Sequence, residues 1–578
     1  MKKNKTTNVR VIAEFDQEME TSDGVILRAN IFRPDGEGPF PVLMTRLPYG
    51  KDGFYETGFH QGAIDPIRAA KQGYIVVVQD VRGTHASDGD FAPFRNEYKD
   101  GAAAAKWAAS LPGSSGKVGL YGLSYFGFTQ LAAAFGPTPE IHAIAPRMRC
   151  ADSTNGLSLR QGALELGSHG FWYTMMSFAE AGRHHQGEKL LNTIKQLASD
   201  MDSLSKEGYI QRPINRFASI NREGVRGLMT ETFFAATREP ANPNSVELEA
   251  LNITNRLDHI TAPAFHIAGW YDIFQQQTLN DYIGMTKRGV PCQLMIGPGP
   301  HGAVTGSKVG ERFFGMHAGD LSINIFDTTY DMQIRWFDRW LKGDESKAEE
   351  KPVKVFIMGE DRWQTFDQWP VPATSTSWYL QADGGLNTSI HSTPATSTYV
   401  YDPDNPVPLL GGNTMQDLGH PPGPFDQRPV EARDDVLVFT SQPLTEDLTV
   451  IGRISASIWA TSDVVDTDFV VRLCDVSPDG TSWNIVDGIV RAQYRDGYDN
   501  PSLIEPGKAY RYDIDLWSTA NTFKKGNRIR VHVTSSSFPH WDANPNTGAP
   551  FSSVDVNIAN QTIHHGSDMA SSITLPIV

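Results

Sequence analysis

A serine between glycines, an aspartate and a histidine, each closing an apolar run, are the side chains best placed here for covalent chemistry. GLSYFG (Gly122–Gly127) ends the run KVGLYG and precedes the alanine-rich TQLAAAF. A serine in so tight a strand-to-helix bend carries its Oγ above the strand end. The glycines are needed because a side chain there would strike neighbouring backbone. The match to G-x-S-x-G is imperfect, since Phe126 takes the second glycine's place and the glycine falls one later, at Gly127. Gly-x-Ser loops are common, so this turn alone says little. AFHIAGWYD sets Asp272 just past another apolar run, and QLMIGPGPHG sets His301, 29 residues on, in a Gly/Pro loop past the next. A histidine can take a serine's proton, and an aspartate can hold the imidazole in the tautomer this requires. With 16 histidines in the chain, no single residue carries the reading. The order Ser, Asp, His and the strand-end placement carry it together.

These loops need a sheet to hold them. Val25–Arg33 follows the Asp23–Gly24 turn signal and reads as a strand, and PVLMT (41–45), YIVVV (74–78), KVGLYG (117–122) and IHAIAP (141–146) read as buried parallel strands. Ala-rich helical segments such as 100–109 alternate with them, which predicts a doubly covered parallel sheet. From about 151 to 257 the texture is helical. Leu190, Ile194, Leu197, Met201 and Leu204 mark one face of a helix, and the block reads as an insertion such as a cap over a site. Strands resume at 264–268 and 293–296, a helix is predicted over 330–341, and the polar run KGDESKAEEK (342–351) reads as a linker. Beyond it, Ile454, Ala456, Ile458 and Ala460 alternate, as do Phe469, Val471 and Leu473, and Ile529, Val531 and Val533, with turn clusters between them. That pattern predicts an all-β sandwich or jelly roll.

The 578 residues fit two or three domains, and 40% hydrophobic with 20% charged residues is ordinary globular composition. The formal charge of −16 argues against a nucleic-acid partner and an anionic membrane surface. No apolar run is long enough to span a bilayer. Cys150, Cys292 and Cys474 lie far apart, which suits a reducing compartment. The basic start MKKNKTTNVR has no apolar run behind it, so no signal peptide is expected and the cytoplasm is the expected location. The adjacent pairs His184–His185 and His564–His565 do not have metal-site spacing, and no phosphate-binding loop occurs, so neither a metal nor a cofactor is expected.

GLSYFG, with RLPYGKD (46–52), QDVRGTHASDG (79–89), GWYD and GPGPHG, resembles the cocaine-esterase-like (CocE/NonD) serine hydrolases. That family is related to X-Pro dipeptidyl-peptidases and α-amino-acid ester hydrolases. The resemblance continues through YDPDNPVPLLGG (401–412) and GPFDQRPVEARDDVLVFTSQPL (423–444), nearly the whole chain. It implies an α/β-hydrolase fold in two parts (1–150 and 258–345), a helical cap (151–257) and a C-terminal jelly roll (352–578). It implies Ser124 as nucleophile, His301 as base and Asp272 as its orienting partner, with the Tyr125 backbone N–H and the Tyr49 hydroxyl holding the oxyanion. His85, where relatives usually carry a glycine or an aromatic, reads as a loop residue. Asp272 is followed by Ile273, Phe274 and three glutamines, with no acid to bind an ammonium group. A neutral acyl group is therefore expected, with Phe274 and Phe171 or Trp172 as an apolar wall. The predicted activity is cofactor-free hydrolysis of small carboxylic esters through an acyl-enzyme. An X-Pro dipeptidyl-peptidase or amide acylase, and a non-catalytic binding protein whose jelly roll takes carbohydrate, remain the alternatives. The oligomeric state is left open, a homodimer being one option.

Overall fold

A computed structural model of the chain describes residues 9–53, 64–149, 156–204, 206, 208–212, 253–303, 306–319, 327–390, 393–415, 419–549 and 554–578. Cys150 and most of the second half of the expected cap lie outside this set.

The N-terminal part is built on a ten-stranded sheet. Its strands are β1 (Val11–Glu20), β2 (Ile26–Pro34), β3 (Phe40–Leu47), β4 (Ile75–Asp80), β5 (Ser114–Leu123), β6 (Ile141–Arg147), β7 (Ala264–Tyr271), β8 (Cys292–Pro300), β9 (Val353–Ile357) and β10 (Arg362–Phe366), in the order β1-β2-β4-β3-β5-β6-β7-β8-β9-β10. The run from β4 to β9 is parallel, with antiparallel pairs at both ends. Successive side chains of each central strand enter different cores. Val42, Met44, Ile75 and Val77 pack with helices α2 (Glu97–Ala109) and α3 (Tyr125–Ala133), whereas Leu43 and Val76 pack with α1 (Pro66–Lys71) and the later α7 (Thr329–Lys342). Both faces are thus buried, which is why these strands read as continuous apolar runs.

Between β6 and β7 lie α4 (Leu166–His184) and α5 (Gly187–Leu204). Thr193, Leu197 and Leu204 form the buried side of α5, close to the stripe expected there. Helix α6 (Gln275–Thr286) joins β7 to β8. A capping box between Thr328 and Asp331 starts α7, and Gly343 in the left-handed region ends it.

Two expectations change. Residues 353–366, expected to open the jelly roll, extend the first sheet: β9 runs parallel to β8. The polar run 342–351 thus leads from the end of α7 into a strand of that sheet. In the C-terminal sandwich a seven-stranded sheet faces a four-stranded one. The strand Asp468–Val476 is buried on both sides, not on one as its alternating Phe469, Val471 and Leu473 predict. Val470 packs outward with Ala163, Ile489 and Trp541, so the sheet's second face is covered. Among the described residues no helix is long and apolar enough to cross a membrane.

Candidate active site

Four parallel strands end at the same edge of the sheet, and each loop leaving them brings one polar group there. Tyr49 follows β3, Ser124 follows β5, Asp272 follows β7 and His301 follows β8.

Ser124 has φ 55° and ψ −125° and precedes the first turn of α3. Its N–H donates to Arg147 O at the end of β6 (3.0 Å), and its carbonyl accepts from Gly127 N–H (2.9 Å) and Phe128 N–H (3.0 Å). Two glycines make the bend possible. Gly122 has φ 142°, and a Cβ there would sit 2.2 Å from the Phe126 ring; a Cβ at Gly127 would sit 2.9 Å from Arg147 O and from the Arg149 Cβ. The second close approach is therefore at Gly127. Phe126 turns its ring into a small core with Leu47, Val78 and Leu123.

The Ser124 Oγ lies 3.0 Å from His301 Nε2, and His301 Nδ1 lies 2.7 Å from Asp272 Oδ1. An ionised carboxylate only accepts, so Nδ1 carries the proton and Nε2 is left to accept from the serine hydroxyl. The three residues are nearly closed to solvent: Ser124 is 6% exposed and Asp272 0%, with the His301 side chain at 7%. Phe274 meets the imidazole edge-on, ring centres 5.2 Å apart. Being itself buried, it braces the base.

Tyr125 opens α3. Its hydroxyl donates to Glu97 Oε1 (2.9 Å) and accepts from Phe94 N–H (2.8 Å), so its side chain is fastened at its far end. Tyr49 packs edge-on against Phe126. Its loop is clamped by Asp80, which accepts from Lys51 N–H (2.6 Å) and Ala86 N–H (3.1 Å). The His85 ring lies against Gly50, in a loop as expected.

Trp172 Nε1–H donates to Tyr49 Oη at 3.1 Å, so the cap residue expected as an apolar wall is also a hydrogen-bond donor. Phe171 is turned about 100° around α4 from it; among the described residues no hydrogen bond or ring contact joins Phe171 to Ser124, Asp272 or His301.

Residues 23–303 match the model of the X-Pro dipeptidyl-peptidase (S15) family, and residues 346–574 match that of the X-Pro dipeptidyl-peptidase C-terminal non-catalytic domain. A cocaine esterase from Rhodococcus sp. is 34% identical over 96% of this chain and 97% of its own. The chain belongs to the cocaine-esterase-like serine hydrolases. Two solved structures share the fold: an aminopeptidase from a marine-sediment Thaumarchaeota archaeon (TM-score 0.82, 24% identity, 100% of this chain and 98% of that one) and an α-amino-acid ester hydrolase (TM-score 0.80, 24% identity, 98% and 97%).

One site residue of this serine hydrolase carries no sequence signal. Asn413, in a loop of the C-terminal half, donates its Nδ2 to Trp270 O (3.0 Å) and Asp272 O (3.3 Å). Two carbonyl acceptors fix the amide's orientation. An Asn after two glycines, far along the chain from Asp272, has nothing local to mark it.

Glu431, Cys474 and His532 form the one group of metal-ligand types found among the described residues, inside the sandwich. Glu431 there accepts from Arg530 (2.5 Å) and lies 2.9 Å from His532 Nε2. His564 turns to Thr461 and its neighbour His565 to Ser397, so that pair does not converge on one point. A groove of about 800 Å³ lined by Thr398, Asp402, Asn405, Arg433 and Asp435 also lies in the sandwich. Tyr399, the aromatic among its described lining residues, is buried.

Proposed function

We propose that this enzyme is an esterase that cleaves small, neutral carboxylic esters through an acyl-enzyme on Ser124. The observation that carries the reading is the hydrogen-bond chain from Ser124 Oγ through His301 to Asp272 at the strand ends. Oγ attacks the ester carbonyl while its proton passes to His301 Nε2, a step worth roughly 10²–10⁴-fold. Asp272 stabilises the imidazolium. The Tyr125 N–H and the Tyr49 O–H receive the oxyanion, each such donor contributing about 3 kcal/mol in the transition state. Collapse expels the alcohol, which takes the proton from Nε2. Water then attacks the acyl-enzyme with His301 again as base, and Ser124 leaves protonated.

The chemistry around Asp272 favours a neutral acyl group. The first turn of α6 holds no acid. Gln275 Nε2 donates to Ser518 O (2.5 Å), and Gln276 Oε1 accepts from the Ser518 hydroxyl (2.7 Å). These amides are tied to the sandwich and leave no carboxylate there for a substrate's ammonium group. Helix α4 lies over the site as a cap, its Trp172 reaching Tyr49. Turnover of nitrophenyl esters compared with Xaa-Pro-nitroanilides tests the assignment. Faster ester cleavage is expected; faster Xaa-Pro cleavage would replace it with a peptidase.

A further inference from the structure

Glu97, the first residue of α2, lies outside the triad and is buried, 3% exposed. A carboxylate taken out of water needs charged or polar partners, and two donors meet this one. Its Oε1 accepts from the Tyr125 hydroxyl at 2.9 Å, and its Oε2 accepts from Arg46 Nη1 at 2.8 Å. Arg46 is buried as well, and its Nε donates to Gln79 Oε1 on β4 at 2.8 Å. Through Glu97 the end of β3 is thus joined to the first residue of α3.

Both ends of this bridge lead to groups that the proposed function assigns to the oxyanion. Arg46 stands three residues before Tyr49, on the strand that delivers it to the site. Tyr125 supplies the backbone N–H. The Phe94 N–H donates to the Tyr125 oxygen at 2.8 Å, and the phenol's one proton lies toward Glu97. An ionised acceptor makes such a bond roughly twice as strong as a neutral one. The Tyr125 ring is stacked on Phe94, 4.6 Å between centres. The Thr129 hydroxyl, one turn along α3, donates to Arg46 O at 3.2 Å. Helix α3 and strand β3 are therefore held to each other at two points.

We propose that Glu97 is a positioning residue for ester cleavage: bridged by Arg46, its carboxylate holds the start of α3 and the end of β3 at the spacing that the two oxyanion donors need. The inference rests on the Tyr125 N–H and Tyr49 being those donors. A bridge with a purely structural role would change stability and leave turnover by the folded enzyme alone. A bridge that spaces two donors acts on the transition state, so its loss lowers kcat and spares KM.

The test is a double-mutant cycle on a nitrophenyl ester with E97Q, Y125F and the pair. It reads kcat, KM and the Ki of a boronic acid that forms a tetrahedral adduct with Ser124. Glutamine keeps the size of Glu97 but offers one oxygen where two donors arrive, and Y125F keeps the ring without the bond. Y125F is expected to lower kcat about three- to tenfold and E97Q about tenfold or more, each with KM within about twofold. The boronic-acid Ki should rise by the same factor as kcat falls. The pair should lose less than the product of the single losses, because both variants break the same bond. If E97Q does not fold, R46M/E97L takes its place. It replaces both buried charges by apolar side chains, and should melt near the parent while keeping the loss in kcat. Parental kcat in Y125F or in the Glu97 variant, a change confined to KM, or single losses that multiply would overturn the proposal and leave the oxyanion assignment standing. A Y49F enzyme with the parent's kcat would remove that assignment and the proposal with it.

Discussion

Ser124 holds a backbone conformation that costs a residue with a Cβ on the order of 1–3 kcal/mol. The hydrogen bonds to Arg147, Gly127 and Phe128 offset that cost, and the strain lifts Oγ to the imidazole. Asp272 sets which imidazole nitrogen is free. Asp272→Asn keeps the shape but lets an amide N–H face Nδ1, which moves the ring proton to Nε2 and blocks acceptance from the serine. We expect kcat to fall roughly 10⁴-fold with an unfolding midpoint close to the parent's, read from steady-state kinetics and thermal melts. A loss below tenfold would mean that Asp272 does not orient the base. Ser124, Asp272 and His301 were legible because each sits where an apolar run meets a glycine turn. The hydrogen bond of Trp172 to Tyr49 was not, because an aromatic on a helix reads the same whether its N–H meets a tyrosine or its ring meets a substrate. Asn413 was not, because the contact that gives it meaning spans two halves of the chain.

The elements were legible to different degrees for one physical reason, the number of faces a strand buries. Strands β3, β4 and β5 are covered on both sides by helices and announce themselves as apolar runs. The sandwich strand 468–476 shows alternation because Arg472 is one of its outward residues, yet that side is buried too. Arg472 is accommodated there by Asp487, Gln427 and Ser537. Strand β9 was missed as part of the first sheet because its five residues follow a charged run that looks like a boundary. At this scale Asp80 matters most, since one carboxylate ties the Tyr49 loop to the loop after β4. Burial pushes it up to about 6. The unfolded chain releases this proton near pH 4. Between about pH 4 and 6 the folded state therefore holds the proton more tightly, and stability from this group falls as pH rises through that window. Asp80→Asn removes the titration. The difference in unfolding midpoint, variant minus parent, should shift in the variant's favour from about pH 4 to about pH 6.5 and then stay level. A gap independent of pH would contradict the assignment.

Across the whole molecule, the sandwich is part of the active site's frame. Tyr271 Oη–H donates to Asn484 O (3.1 Å), Gln275 donates to Ser518, and Arg160 lies 3.6 Å over the Trp517 ring while pairing with Glu165, which also accepts from Trp541 Nε1 (3.2 Å). Asn413 brings that frame within one residue of the chemistry. Asn413→Leu removes both hydrogen bonds to the Asp272 loop at similar volume. It should lower kcat about tenfold or more with KM little changed, because small misplacements of a reacting group are costly; an unchanged kcat would show that the loop holds its shape without the sandwich. Acylation of Ser124 is the step on which the proposed hydrolysis turns. The enzyme quenched during turnover of a slowly deacylating nitrophenyl ester, digested and weighed by mass spectrometry, should carry one acyl group on the peptide containing Ser124, and Ser124→Ala should carry none and lose hydrolysis. An acyl group on another residue, or hydrolysis surviving in Ser124→Ala, would contradict it.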